Sequence, residues 1–418
     1  MIEDQDGRKK ILFFAEGATL AHVARSLVLA RSLDPARVDV VFARPKNYEW
    51  LTKNESFKII DLSCQDPNEF SRRLERGLPL YDYPTLKSYV RDDLSLIDLV
   101  CPDVTIGDFR LSLSVSSRVR KIPFINLCDA YWSPEHSVKS VLPVFAFTRY
   151  LPIRFAELCF RVFSPLAFRI HAIPHERLRS EYGLSSLGYD LQKCYTDADL
   201  RLFANIPALF PDVEESESCA FIGPVAWSPE NNADFALSAD LSSEYFYVSM
   251  GSSGDTDVLF DILMALAKLG PQVIVSTAAR WRWPDGSLPS NVKVFDFVPG
   301  DLVCKAARLV VCNGGSPTTN QALVNGVPVL GIAKNMDQFM NMRAIEKFGA
   351  GLTMRADRIT RESVLNLANQ LWTKDCYRIN AVKLAQSAKQ CLDSRSLEWF
   401  LAKLLNREAL ESCDITKQ

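Results

Sequence analysis

The sequence predicts an α/β protein made of two facing, doubly wound parallel-sheet domains with a cleft between them, and three observations carry the prediction. The first is size. A chain of 418 residues with 48% hydrophobic composition exceeds the roughly 250–300 residues that one core serves, so two cores are expected. The second is a pair of strand–turn–helix–strand series, one starting at Ile11 and the other at Tyr245. The third is a stretch of linker composition between them, Gly223-Pro224 and then Trp227 to Asp234.

In the first half, 11–14 reads as a buried strand and Glu16-Gly17 as its turn. Leu20, Val23, Ala24, Leu27, Ala30 and Leu33 then lie at the spacing of one helix face. Residues 38–43 return as a second strand, which completes a βαβ unit of the kind that builds parallel sheets. Further strands are expected at 104–106, 123–127 and 200–203. The second half repeats the theme, with a strand at 245–250, the turn Gly251-Ser252-Ser253-Gly254, a helix over 259–269, and strands at 272–276, 292–295 and 309–311. The expected division is 1–224, a linker at 225–242, a second domain at 243–395, and a closing helical segment at 396–418.

Charge and cysteines narrow the function. With 48 basic and 50 acidic residues the net charge is −2, which gives no electrostatic footprint for nucleic acid. The 11 cysteines are scattered without a C-x-x-C pair, so neither a zinc site nor a redox motif is signalled. The apolar run after Lys9-Lys10 is too short for a secretory signal or a membrane span, and reduced thiols in a cytoplasmic protein are the expectation.

The most informative stretch runs from Phe297-Val298-Pro299 to Gly351. Leu309-Val310-Val311 leads into Cys312-Asn313-Gly314-Gly315-Ser316-Pro317-Thr318-Thr319, followed by Gln321-Ala322-Leu323, Gly326-Val327-Pro328, and Asp337-Gln338 with Asn341. A buried strand that breaks on paired glycines into a hydroxyl-rich helix start offers N–H groups and the positive end of a helix dipole, which suits a diphosphate. Asp337, Gln338 and Asn341 add side chains able to hydrogen-bond sugar hydroxyls.

This ordered series resembles the donor-binding signature of the UDP-glycosyltransferase superfamily, in particular of bacterial enzymes that glycosylate natural products. Their pattern runs roughly F/W-x-P, H-G-G-x-G-T-x-x-E-A-L, G-V-P, D-Q-x-x-N. The resemblance implies the GT-B fold, with the acceptor in the first half, the donor in the second, and a last helix that crosses back. It also implies that His22 is the general base and that Asp108, after the strand at 104–106, orients it. The structural alternatives are a helix-start histidine that packs and a strand-end aspartate that caps the next helix.

On the donor side the resemblance implies that Phe297 stacks on the base and Val298 offers backbone groups to its edge. Gly314, Gly315, Ser316 and Thr318 approach the phosphates, Asp337 and Gln338 the sugar, while Asn341 braces the turn and Ser252 contributes to the pocket. Three positions depart from the pattern: Asn313 replaces a histidine, Pro317 a glycine, and Gln321 a ribose-binding glutamate. They leave the nucleotide open, UDP or dTDP, and keep a non-catalytic nucleotide-sugar-binding protein as the alternative to an inverting transferase. No metal or other cofactor is expected, and Asp197-Ala198-Asp199 and Asp255-Thr256-Asp257 read as structural. Residues 141–180 hold many aromatics and six arginines against two glutamates. They read as an apolar acceptor wall or a peripheral membrane contact, against a helix pair packed on the sheet.

Overall fold

In a computed structural model the described residues are 8–229, 241, 243–251, 254–284, 286 and 288–415, with side chains described as far as Asn406. The first sheet contains, among the described residues, β1 (Lys9–Ala15), β2 (Val38–Arg44), β3 (Lys58–Asp61), β4 (Val104–Asp108), β5 (Phe124–Cys128), β6 (Leu200–Phe203) and β7 (Cys219–Phe221). All are parallel, in the order β3-β2-β1-β4-β5-β6-β7. The second sheet holds β8 (Tyr245–Ser249), β9 (Gln272–Ser276), β10 (Val292–Phe295), β11 (Leu309–Cys312), β12 (Val329–Ala333) and β13 (Gly351–Arg355), again parallel, in the order β10-β9-β8-β11-β12-β13. Both orders reverse beside their first strand, between β1 and β4 and between β8 and β11. Ligands of doubly wound sheets bind at such a reversal, at the C-terminal strand ends.

The first sheet carries α1 (Leu20–Arg31), α2 (Pro67–Glu75), α3 (Tyr83–Val100), α4 (Leu113–Arg120), α5 (Ile153–Glu181) and α6 (Leu191–Thr196). The second carries α7 (Leu259–Leu266), α8 (Gly300–Ala306), α9 (Ser316–Val324), α10 (Met336–Phe348), α11 (Arg361–Thr373) and α12 (Asp375–Ser394), and α13 (Leu397–Ile415) follows. The central strands are near-continuous apolar runs because helices cover both faces of each sheet. In β1 every residue from Ile11 to Ala15 is fully buried. These two Rossmann-like domains are the GT-B architecture.

One apolar cluster runs through both halves and includes Tyr131, Trp132 and Phe210 of the first and Val310, Met340 and Ala344 of the second. A second cluster fills the face of the first sheet behind α1. Leu397, Phe400 and Leu401 of α13 belong to it, together with Ile11, Leu27 and Phe42. The Glu398 carboxylate accepts the Asp34 N–H at 2.7 Å on the same seam.

The elements differ from the sequence expectation in detail. The helix expected over 259–269 ends at Leu266, and its last turn tightens to a 3-10 turn, Ala267–Leu269, before Gly270 at φ +103°. Where a helix pair was one reading of 141–180, the chain forms a short 3-10 turn, Ala146–Arg149, followed by the single 29-residue helix α5, with Pro165 and Pro174 inside it. Only one face of α5 packs on the domain, through Ala156, Ser164, Ala172, His175 and Leu178.

Candidate active site

Strand register brings the first pair of polar groups together. Ala15 at the end of β1 pairs with Asp108 at the end of β4, so the start of α1 stands over Asp108. His22 Nδ1 lies 2.7 Å from Asp108 Oδ1. Arg25, three residues further along α1, donates to both Asp108 oxygens, Nε to Oδ2 at 2.6 Å and Nη2 to Oδ1 at 2.8 Å. Its Nη1 reaches Asp129 Oδ2 at 3.1 Å, and Asn205 holds the other Asp129 oxygen at 3.0 Å. Burial pushes the Asp108 carboxyl up, but Arg25 and then His22 more than offset it, so the group stays below the usual carboxylate range. Asp108 is an ionised acceptor held against the Nδ1 side of the His22 ring.

The backbone beside it is strained. Phe109 has φ +58°, and its ring stacks on His22 with centroids 5.2 Å apart. A non-glycine residue there costs about 1–3 kcal/mol and persists only where its surroundings over-determine it. Here they do: Phe70, Tyr81 and Tyr195 pack against the Phe109 ring at 5.4–6.2 Å, and Trp132 meets Tyr195 at 4.9 Å. Arg110, next in sequence and fully buried, ties this turn to Glu16 at 3.1 Å and to Asp93 at 3.0 Å. The result is an aromatic wall on the first domain, beginning at His22.

Across the cleft, β11 ends at Cys312 and the chain turns through Asn313-Gly314-Gly315 into α9. Gly314 has φ +81°, and a Cβ there would stand 2.6 Å from Met342 Cγ, so only glycine fits. Asn313 Oδ1 accepts the Gly315 N–H at 3.0 Å, which folds the loop on itself. Asn341 Nδ2 donates to Gly314 O at 2.8 Å and to the Thr319 hydroxyl at 2.9 Å, the bracing role expected of it. No side chain caps the start of α9, with Gly315 at the N-cap and Pro317 in the first turn, which leaves that helix end for an anion. Ser316 is buried and Thr318 half-buried.

Asp337 and Gln338 open α10. Gln338 closes a capping box with Asn335, its Oε1 taken by the N–H groups of Lys334 and Asn335, while its Nε2 is buried without a hydrogen-bond acceptor. An orphaned donor at this point is what a ligand hydroxyl would satisfy. Asp337 instead holds a protein partner, accepting the Trp132 indole N–H across the cleft at 2.6 Å. Burial raises its carboxyl to about 6; the Trp132 hydrogen bond lowers it, the negative Asp129 raises it and His22 lowers it. Asp337 thus feels both Asp129 and His22 of the first domain. Gln321 donates to Trp227 O at 2.8 Å, toward the linker. The ring of Phe297 is 42% exposed, available for stacking, whereas Val298 is buried. Ser252 lies outside the described residues; Arg280 holds the flanking Gly251 and Gly254 carbonyls at 3.0 and 3.1 Å.

The two aspartate triplets are occupied by protein groups. Asp197 takes Arg118 at 2.9 Å and Arg179 at 2.7 Å, Asp199 accepts the Phe124 N–H at 2.8 Å, and Asp255 faces Lys334 at 3.5 Å. Among the described residues no group of three or more His, Cys, Asp or Glu side chains is placed to hold a metal ion. Sequence reasoning missed Arg25, Asp129 and Trp132. The signals for two of them were present: Arg25 shares a helix face with His22, and Asp129 follows β5 as Asp108 closes β4.

A family profile described as "Erythromycin biosynthesis protein CIII-like, C-terminal domain" matches residues 261–391. The "PGL/p-HBAD biosynthesis glycosyltransferase" of Mycobacterium tuberculosis (strain ATCC 25177 / H37Ra) is 39% identical over 91% of this chain and 89% of that protein. The "PGL/p-HBAD biosynthesis rhamnosyltransferase" of Mycobacterium bovis (strain BCG / Pasteur 1173P2) is 39% identical over 91% of this chain and 84% of that one. Among solved structures, the spinosyn forosaminyltransferase SpnP superposes with a TM-score of 0.67 at 17% identity, covering 96% of this chain and 99% of that chain, which speaks to the fold. Similarity at this level along nearly the whole length places the chain in the GT-B glycosyltransferase superfamily, close to the bacterial PGL/p-HBAD and natural-product glycosyltransferases, as an enzyme of hexosyl transfer.

Proposed function

We propose that this enzyme moves a sugar from a UDP- or dTDP-linked donor to a hydroxyl of a small, apolar acceptor, with inversion and without a metal ion. The observation that carries the reading is the 2.7 Å contact between His22 Nδ1 and a buried, ionised Asp108 at the reversal of the first sheet. With Nδ1–H donated to Asp108, Nε2 bears the lone pair that takes the acceptor's proton as its oxygen attacks the anomeric carbon. Asp108 then stabilises the imidazolium, and Arg25 keeps Asp108 ionised. The nucleoside diphosphate departs toward the start of α9, whose N–H groups and dipole offset its charge. The aromatic wall from Phe109 to Trp132 supports an apolar acceptor.

The binding-only alternative raised by Asn313, Pro317 and Gln321 gives way to a narrower question, namely which nucleotide the altered loop holds. Asn313 braces the loop and Gln321 faces the linker, so the donor rests on backbone N–H groups, Phe297 and the free Gln338 amide. The test is His22→Ala. Turnover should fall about 100- to 10,000-fold while the affinity for UDP and dTDP, read by calorimetry, stays unchanged. Undiminished turnover would remove His22 from the mechanism, and retention of anomeric configuration in the product, read by NMR, would remove inversion.

A further inference from the structure

Helix α5 carries its apolar stripe on the wrong side for a core. Phe155, Leu158, Val162, Leu166, Ile170 and Ile173 recur every three or four residues and are 47–63% exposed, while the buried positions of the helix face the opposite way. The stripe spans about 27 Å at 1.5 Å per residue. Just before the helix, Tyr150 is 83% exposed and continues the surface.

The charges on this helix are distributed unevenly. Arg154, Arg161 and Arg169 follow one flank of the stripe at heptad-like spacing, are exposed, and are not among the residues that form a hydrogen bond or ion pair with another described residue. Further along, Arg177 stacks on Tyr83 at 3.9 Å and Arg179 is bonded to Asp197 at 2.7 Å, so the uncommitted arginines lie beside the stripe. A second copy of the chain would bring the same unpaired arginines to a shared seam, because a two-fold interface repeats one patch on both sides. No helix among the described residues is long and apolar enough to cross a membrane. An apolar stripe flanked by unpaired arginines matches a surface of acyl chains beneath anionic headgroups.

We propose that α5 docks this enzyme, lying in the interfacial plane, on an anionic lipid bilayer. The inference rests on the exposed face of α5 and stands apart from the catalytic reading above. The segment leading into the helix is clamped by the donor domain, with Arg355 on the carbonyls of Leu142 and Pro143 at 2.8 and 3.0 Å, and Arg358 on those of Thr148 and Leu151 at 2.7 and 2.8 Å.

The test is co-sedimentation of the full chain with vesicles of phosphatidylcholine alone and of phosphatidylcholine mixed with phosphatidylglycerol, alongside its sedimentation coefficient without lipid. Binding is expected to the mixed vesicles and to weaken with salt. The combined change Arg154→Gln, Arg161→Gln and Arg169→Gln should reduce it on the order of 100-fold, since each cation near an anionic surface contributes about fivefold. Leu166→Asp should reduce it as strongly. All these side chains are exposed, so an unchanged thermal melt and circular dichroism spectrum check that the variants are folded. Failure to sediment with either vesicle, equal sedimentation with both, or a dimer in lipid-free solution that Leu166→Asp dissociates would each overturn the proposal.

Discussion

Asp337 has two uses that compete: the sugar site it is expected to serve and the indole of Trp132 that it holds. Its carboxyl rises from an ordinary 3.8 to about 6, so the folded state binds this proton more tightly than the unfolded chain. The stability from that preference is fully present below about pH 4 and is lost as the pH rises through about 6. Asp337→Asn, which keeps an acceptor for Trp132 and cannot ionise, should therefore melt higher than the wild type near pH 7.5. The gain is on the order of 1–2 kcal/mol, discounted because the residue is half-buried. The advantage should vanish near pH 4 in a fluorimetric melt, and one that persists there would come from the amide itself. The pairing of His22 with Asp108 was legible through the family resemblance, which sets a helix-start histidine against a strand-end aspartate. Trp132 was not, since it meets Asp337 across 205 residues and an interdomain cleft, a contact that no local pattern encodes.

At the scale of elements, the turn between β11 and α9 is the one on which the proposed donor site depends. Gly314→Ala forces a side chain into φ +81° and against Met342, a strain of about 1–3 kcal/mol that the loop can relieve only by moving. UDP or dTDP should bind on the order of tenfold more weakly by calorimetry while the melting temperature drops by a few degrees. Unchanged nucleotide affinity would show that the loop does not touch the diphosphate. The central strands were readable because burial on both faces demands unbroken apolar runs, as in Ile11 to Ala15 and Leu309 to Cys312. The outer strands of the first sheet were not. β3 is the half-exposed Lys-Ile-Ile-Asp and β7 has three residues, too little pattern to stand out from loop. For 141–180 the sequence left a helix pair packed on the sheet open beside an exposed apolar surface, because composition cannot say which way a face points; the stripe on α5 faces out.

At the scale of the molecule, Leu397, Phe400 and Leu401 of α13 complete the core behind the first sheet, although they follow the second sheet in the chain. Truncation after Arg395 would expose that cluster. With three buried apolar side chains lost, each worth about 2–5 kcal/mol, the first domain should unfold at markedly lower urea while the second keeps its own midpoint. A single unchanged transition would show that α13 adds nothing to the first core. The same connectivity has a consequence for biosynthesis. A ribosome delivers the first sheet early, at about 5–20 residues per second, but the helix that seals it emerges only after the whole second domain has been made. For that interval the nascent first domain presents an unsealed greasy flank, and the slower the synthesis of the second domain, the longer that flank stays open to wrong partners until the tail swings back.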